Sequence, residues 1–182
     1  TDKLIAVVKN GSNLNLVEID LRKTPPANKI LIKDFRIKDS IMTFRAPYDL
    51  YITEKPAESY EGKVWRLDLK SLSLSVLIGG EAGLWVNFAN EQKIFYHYNS
   101  VGNFYIFDQN LKQTIPAYFT TLPSKCGFSA STTYCFSPQE IPSKNTMPDD
   151  YLMNKFYSVD DLFAVNHSNN EIKQILSSNS AD

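Results

Sequence analysis

The chain has 182 residues, enough for one domain with a real core, and a net charge of −1 from 19 basic and 20 acidic residues. This balance gives no electrostatic reason to expect nucleic acid or an anionic membrane as a partner. Hydrophobic residues make up 43% of the chain. No apolar run approaches the roughly 20 residues of a membrane span, so we expect no direct membrane insertion by this segment.

Short alternating runs, rich in Tyr and Phe and broken by Asn, Gly, Ser and Pro, predict an all-β fold. The first group of runs covers 4–33 and predicts three strands, LIAVV, NLVEI and KILIK. Further groups cover 40–79, 83–119 and 123–177, and each predicts four strands. In the last group, residues 137–158 contain three prolines and no clean alternation, which indicates a surface excursion inserted between two strands.

The end of each third strand shows the clearest repeat. The segments VWRLDLKSLSLSVLI and FYIFDQNLKQTIPA share an alternating strand, an Asp, a turn and a second strand, and their Asp68 and Asp108 are 40 positions apart. Asp20 and Asn166 take the same place in the first and last groups. Such side chains bond to backbone amides of a following turn, so we interpret them as turn residues rather than catalytic carboxylates.

A second repeated element is a Phe followed, after a short loop, by an apolar and aromatic strand, as at Phe44, Phe88 and Phe128. Four antiparallel strands in roughly 40 residues make one blade of a β-propeller. The chain resembles β-propeller proteins of the WD40-like and TolB-like kind, and most of all the uncharacterised propellers of exported bacterial proteins. We therefore expect about four antiparallel blades in a partial propeller or open arc, with the first blade lacking one strand. The alternative is a four-bladed ring with one three-stranded blade.

The two cysteines, Cys126 and Cys135, lie in KCGFSASTTYC on the first two strands of the last blade. A hairpin centred between Ala130 and Ser131 places them opposite each other, with Cβ atoms about 4.5–5.5 Å apart, close to what a disulfide needs. A disulfide and a reduced pair both stay open, because the outcome depends on the redox compartment. Two cysteines and two scattered histidines do not make a zinc site, and we predict no metal and no cofactor.

Five residues are candidates for partner binding. Two end the strand KIFYHY of the third blade, where a side chain can face the central channel, and three lie in or follow the Pro-Asp-Asp motif of the inserted segment. They are His97, Tyr98, Asp149, Asp150 and Tyr151. The sequence shows no partner carboxylate for the first of these. His167 lies in a hairpin turn, where we expect it to be exposed.

The propeller resemblance implies a scaffold for binding rather than a known reaction, and a hairpin cysteine pair with a Pro-Asp-Asp insertion also occurs in such exported propellers. We predict a non-catalytic binding or scaffold module with no catalytic residues. Its loops, above all 137–158, would recognise a protein or glycan. We expect it to form part of a longer protein that is exported or membrane-anchored, in an extracytoplasmic compartment.

Two alternatives stay open. One is an enzyme or an accessory propeller of an enzyme, such as a glycan hydrolase or the gating domain of a peptidase. A glycosidase needs two carboxylates about 5–10 Å apart in one cleft, and the candidates are Asp49, Glu54, Asp149 and Asp150. The other is self-association through open sheet edges, because unpaired strands invite pairing with another chain.

Overall fold

The computed structural model describes residues 2–37, 39–46, 48–89, 95–107, 113–116 and 118–177. Within these ranges, fifteen strands form four antiparallel sheets, of which the first has three strands and the others have four. This confirms the prediction of an all-β array of about four antiparallel blades whose first blade lacks a strand. Among the same residues, no helix is long and apolar enough to cross a bilayer.

Within each sheet, the strands follow one another along the chain and each pairs with its neighbour in sequence. They are β1 (Lys3–Asn10), β2 (Asn13–Asp20), β3 (Ala27–Ile32), β4 (Ile41–Ala46), β5 (Asp49–Thr53), β6 (Glu61–Asp68), β7 (Ser73–Ala82), β8 (Trp85–Phe88), β9 (Phe95–Tyr98), β10 (Phe104–Phe107), β11 (Gln113–Pro116), β12 (Cys126–Ser129), β13 (Thr132–Pro138), β14 (Asp160–Asn166) and β15 (Glu171–Leu176). Blade 1 contains β1–β3, blade 2 β4–β7, blade 3 β8–β11 and blade 4 β12–β15. A 3-10 turn, Pro123–Lys125, precedes β12, and a short helix, α1 (Asp149–Leu152), lies between β13 and β14.

The polar residues at the strand ends cap the following turns. One side-chain oxygen of Asp20, Asp68 and Asn166 accepts a hydrogen bond from the backbone N–H two positions later, at 3.1, 2.8 and 2.8 Å respectively. The interpretation of these three as turn residues is therefore confirmed. Asp108, the fourth member of the repeat, lies outside the described residues.

Successive blades pack face to face over apolar cores. Leu16 and Leu50 belong to the core between blades 1 and 2, Val64 to that between blades 2 and 3, and Tyr96 and Val165 to that between blades 3 and 4. Because alternate residues of a strand point to opposite faces, each of the two middle sheets contributes to two cores. Among the described residues no such core joins blade 4 to blade 1, so the array is open.

Candidate functional site

The segment at 137–158, here called the insertion, packs on blade 3 instead of extending freely into solvent. Trp85 and Tyr98 of blade 3 form a buried cluster with Met147, and the ring of Tyr151 packs against it, 6.2 Å from the Trp85 ring. The insertion joins the second and third strands of blade 4, and its packing on blade 3 is a feature that the sequence pattern did not reveal. Its apolar residues lack alternation because they pack singly into a neighbouring blade and do not belong to a strand.

Both aspartates of the Pro-Asp-Asp motif hold the insertion in place. Asp149 Oδ1 accepts the backbone N–H of Glu58, in the loop between β5 and β6 of blade 2, at 3.0 Å. Asp150 accepts the backbone N–H of Thr146 at 2.8 Å and the Nζ of Lys155 at 2.6 Å. The hydrogen bond from Lys155 is the largest cause of a lowered pKa at Asp150. The insertion is thereby tied to blade 2 and closed on itself.

Lys125 fixes the return of the insertion to blade 4. Its Nζ donates to Ser158 Oγ at 2.7 Å and to Asp160 Oδ2 at 2.6 Å. The same ammonium lies 5.3 Å from the centre of the Tyr151 ring, within range of a cation–π interaction. A half-buried lysine thus joins the start of blade 4 to the end of the insertion.

His97 is buried between blades 2 and 3 and has a carboxylate partner. Its Nε2 lies 2.9 Å from Oε2 of Glu81, which also accepts a hydrogen bond from Asn99 Nδ2 at 3.1 Å. Burial lowers the pKa of His97, and the nearby Glu81 carboxylate offsets part of that shift. The expectation that His97 has no carboxylate partner is wrong, because the stacking of blades brings β7 against β9.

Tyr98 points to the other face of blade 3 and is also buried, in the cluster beneath the insertion. Burial raises the pKa of its phenol. Among the five candidate binding residues, His97 and Tyr98 therefore lie between packed elements, and Asp149 and Asp150 make structural hydrogen bonds. Tyr151, half-buried, packs against the cluster beneath it.

His167 is half-buried rather than exposed, which corrects the expectation from its place in a turn. Its Nε2 lies 2.8 Å from Oγ1 of Thr133, which is 3.3 Å from the hydroxyl of Tyr96. This network crosses from blade 4 to blade 3. Burial lowers the pKa of His167 and raises the pKa of Tyr96 to about 12.

The two cysteines form a disulfide, with an S–S distance of 2.10 Å. The predicted hairpin is confirmed, because Cys126 pairs with Cys135 and the turn residues are Ala130 and Ser131. Cys135 is fully buried in the core between blades 3 and 4. The disulfide, rather than a reduced pair, therefore closes the first hairpin of blade 4.

The four candidate carboxylates of the enzyme alternative have structural partners. Asp49 accepts two hydrogen bonds from the Arg66 guanidinium, both at 3.0 Å. Glu54 accepts the backbone N–H of Lys63 at 2.8 Å and the indole N–H of Trp65 at 3.4 Å. Among the described residues, no group of three or more His, Cys, Asp or Glu side chains could hold a metal ion.

The end of the molecule that carries the insertion exposes large apolar side chains on several loops. Strands alternate in direction, so the loops between second and third strands and the connections between blades lie at this end. We call the exposed set the insertion face, and its members are Tyr60, Val101, Tyr118, Met153, Tyr157 and Val159. The sequence did not reveal them, since isolated apolar residues in loops carry no periodic signal.

Short contacts connect these loops to one another. The backbone N–H of Ser100 donates to the carbonyl of Ala82 at 2.9 Å, and Thr120 Oγ1 donates to the carbonyl of Gly102 at 3.2 Å. Gly83 has a φ of 68°, and a Cβ there would lie 2.8 Å from Ser100, so only glycine allows this approach. The loops that carry the insertion face are thereby held against each other.

Comparisons with known proteins give the fold a name. No protein-family model and no curated protein matches the chain. Among solved structures, TolB from Acinetobacter baumannii matches with a TM-score of 0.53 and 13% sequence identity over 96% of this chain. The chain has a β-propeller fold. It spans 40% of the length of TolB, and at this identity the likeness shows the fold alone.

Two further solved structures have lower TM-scores. The nidogen/laminin complex matches with a TM-score of 0.47 at 10% identity, over 97% of this chain and 62% of that one. Oligogalacturonate lyase from Vibrio parahaemolyticus matches with a TM-score of 0.45 at 11% identity, over 97% of this chain and 47% of that one.

Proposed function

We propose that this β-propeller segment is a non-catalytic binding module that presents the insertion face to a protein partner outside the cytoplasm. The observation that carries the proposal is the exposure of Val101, Tyr118 and Tyr157, whose side chains are 83%, 87% and 90% exposed on loops at one end. Large apolar patches at a surface mark interaction sites, and tyrosine is enriched among the residues that dominate binding energy.

The hydrogen bonds that hold these loops in place favour tight binding of a partner. The backbone bonds at Ser100 and Ala82, and the bond between Asp149 and Glu58, hold three blades and the insertion in one arrangement. A surface that is ordered before binding loses less conformational entropy when the partner arrives. The insertion therefore contributes by fixing the shape of the face as well as by exposing its own side chains.

The composition of the face favours a protein over a glycan. Sugars are bound by aromatic faces flanked by hydrogen-bonding groups, whereas this face mixes tyrosines with aliphatic side chains at Val101, Met153 and Val159. Asp149 and Asp150 are already committed to structural hydrogen bonds. An apolar and tyrosine-rich surface is the composition found at the centre of protein interfaces.

The binding test compares single variants on the immobilised protein. We expect Tyr118→Ser and Tyr157→Ser each to weaken retention of a protein from the extracytoplasmic fraction of the source organism about tenfold, or about 1.4 kcal/mol. The matched control is Tyr48→Ser, an exposed tyrosine on the tight turn between β4 and β5, at the opposite end of its blade. Equal retention of every protein by all three variants and the wild type would contradict the proposal.

The compartment has its own test. Disulfides form and persist in oxidising compartments, which is why we place the module outside the cytoplasm. Intact mass after alkylation under denaturing, non-reducing conditions should show no added alkyl groups on protein from its native source, and two after reduction. Two alkyl groups without reduction would mean that Cys126 and Cys135 are free thiols in the cell.

A further inference from the structure

The blades share one position whose side chain packs on the following blade. In a four-stranded blade this residue lies on the second strand, and in the three-stranded blade 1 it lies on β1. Its pairing partner on the next strand lies two places before the aspartate or asparagine that caps the turn. The pairs are Ile5 with Glu18, Tyr51 with Arg66, Tyr96 with Ile106 and Tyr134 with Ala164. The strand registers therefore place Tyr134 of blade 4 where Tyr51 and Tyr96 lie in the two middle blades.

In the first three blades this side chain has a partner on the next blade. Ile5 packs in the core between blades 1 and 2, and the Tyr51 ring stacks on Phe88 with centroids 5.1 Å apart. The Tyr96 hydroxyl lies 3.3 Å from Thr133 Oγ1. Tyr134 is instead 41% exposed. Blade 4 thus exposes the face that, in each earlier blade, packs against the following blade.

A row of apolar side chains lies beside Tyr134 on that face, and Lys173 lies in the row of Tyr134 itself, paired with Ala164. Across the strands, Phe136 pairs with Leu162 and Leu162 pairs with Leu176, so the three side chains form one row on the side of Tyr134. Phe136 and Leu176 are exposed. We call this surface, with Tyr134 at its centre, the outer face of blade 4.

Blade 1 has the complementary unpartnered face. Ile5 and Leu16 point towards blade 2, so their alternate neighbours point away from it. These outward residues are Leu4, Ala6, Val8, Asn13, Asn15, Val17, Ile19, Asn28 and Ile30, and none of them is charged. Leu4, Val8 and Ile30 are exposed. We call this surface the outer face of blade 1.

We propose that the outer face of blade 4 docks on the outer face of blade 1 of a second copy of this chain. Within the chain, each described core between neighbouring blades joins the following face of one blade to the preceding face of the next through apolar side chains. Among the described residues, the two outer faces are the unpartnered members of that pairing. The outward strand residues of blade 1 carry no charge, and the outer face of blade 4 carries Lys173 in the row of Tyr134. The contact is face to face and heterologous, so it differs from pairing between open strand edges.

The first test measures the mass of the oxidised chain by sedimentation velocity over a wide concentration range. We expect species of at least twice 20.7 kDa, in amounts that increase with concentration. Tyr134→Lys and Val8→Lys each bury a charge in the contact and should give a monomer at every concentration. Tyr157→Lys, an equally drastic change on the insertion face, should associate like the wild type. A monomeric wild-type chain, or association that survives Tyr134→Lys, would overturn the proposal.

A mixing test separates this contact from pairing of two identical surfaces. The Tyr134→Lys chain keeps an intact outer face on blade 1, and the Val8→Lys chain keeps one on blade 4. An equimolar mixture of the two monomeric variants should therefore form a heterodimer. If the mixture stays monomeric while the wild type associates, two copies meet through another surface and the proposal fails. Binding of a separate partner to the insertion face affects neither result.

Discussion

Leu72 lies in the turn between β6 and β7 with a φ of 56°, in the left-handed region that costs an L residue about 1–2 kcal/mol. Glycine adopts this conformation without a steric penalty, although it adds about 0.4–1 kcal/mol of entropy to the unfolded chain. We predict that Leu72→Gly raises the free energy of unfolding by roughly 0.5–1 kcal/mol. Urea denaturation of the oxidised protein measures this change.

Leu74 provides the matched control, because it is 37% exposed where Leu72 is 38% exposed. It lies inside β7 and outside the positive-φ residues of the described chain. Leu74→Gly should lower the free energy of unfolding by about 0.5–1 kcal/mol, as glycine does within a strand. Equal changes at the two positions would show that backbone strain at Leu72 has no effect.

His97 and His167 make the stability depend on pH near neutrality. Burial lowers both pKa values, so the folded protein holds these histidines neutral at a pH where the unfolded chain protonates them. The free energy of unfolding should therefore fall as pH drops from about 7 towards 5, below the unfolded value of about 6.5. The slope is at most about 1.4 kcal/mol per pH unit for each histidine.

Urea titrations at several pH values measure this slope in the wild type and in a double variant, His97→Gln with His167→Gln. The double variant should be less stable, and its free energy of unfolding should depend less on pH over the same range. The carboxyl groups whose pKa is lowered in the folded protein, Asp20, Asp68 and Asp150, do not interfere there. Asp20, for example, has a pKa of about 2 in the folded protein and 3.8 as its ordinary value, so its contribution is lost only at lower pH. An unchanged slope in the double variant would contradict the assignment to histidine.

At the scale of single elements, the first hairpin of blade 4 depends on its disulfide. Cys126 and Cys135 are separated by 9 positions, and a crosslink over so short a loop contributes about 2–3 kcal/mol through the entropy of the unfolded chain. We predict that reduction lowers the free energy of unfolding by this amount. A double variant, Cys126→Ala with Cys135→Ala, should be indifferent to the reductant, and the same loss in that variant would contradict the explanation.

The insertion is the element for which sequence and structure differ most. Replacing 139–158 by a two-residue turn would uncover Trp85 and Tyr98. We expect this deletion to lower the free energy of unfolding by several kcal/mol, at about 1.5–3 kcal/mol for each large buried side chain. Tyr157→Ser, in the same segment but 90% exposed, should change it by less than about 0.5 kcal/mol. Wild-type stability in the deletion variant would show that the packing of the insertion on Trp85 and Tyr98 does not stabilise the fold.

The strands and the cysteine hairpin could be predicted because their signals are local. Side chains alternate with a period of two, and the pairing of Cys126 with Cys135 follows from a turn only two residues long. The contacts of the insertion are not local: Asp149 bonds to Glu58 across 91 positions. The pair of Glu81 and His97 likewise depends on how two sheets stack, which no spacing within either strand reports.

For the whole molecule, the repeated unit predicts an array because each blade is specified within its own stretch of sequence. Whether the array closes depends on the faces of the first and last blades, and a face that packs on a neighbour has the same apolar alternation as one that is left open. Tyr134 shows this, because its pattern matches that of Tyr51, yet within the described part of the chain Tyr51 stacks on Phe88 and Tyr134 is 41% exposed.

The open array predicts a gradient of local stability that native-state hydrogen exchange can measure. Among the described residues, apolar cores cover both faces of blade 2 and one face of blade 1, so opening blade 1 exposes less apolar surface. The strands β2 and β6 are equivalent, because each is flanked by two strands and ends at a turn aspartate. We expect the amides of β6 to exchange more slowly than those of β2.

The Tyr134→Lys variant is the right background for this measurement, since self-association would cover blade 1 and slow its exchange. In that monomer the difference in amide exchange rate between β2 and β6 should be largest. In the wild type the same difference should decrease as the protein concentration rises. Equal protection of the two strands in the monomer would mean that all blades unfold as one cooperative unit. The number of covered faces would then have no influence on the stability of a blade.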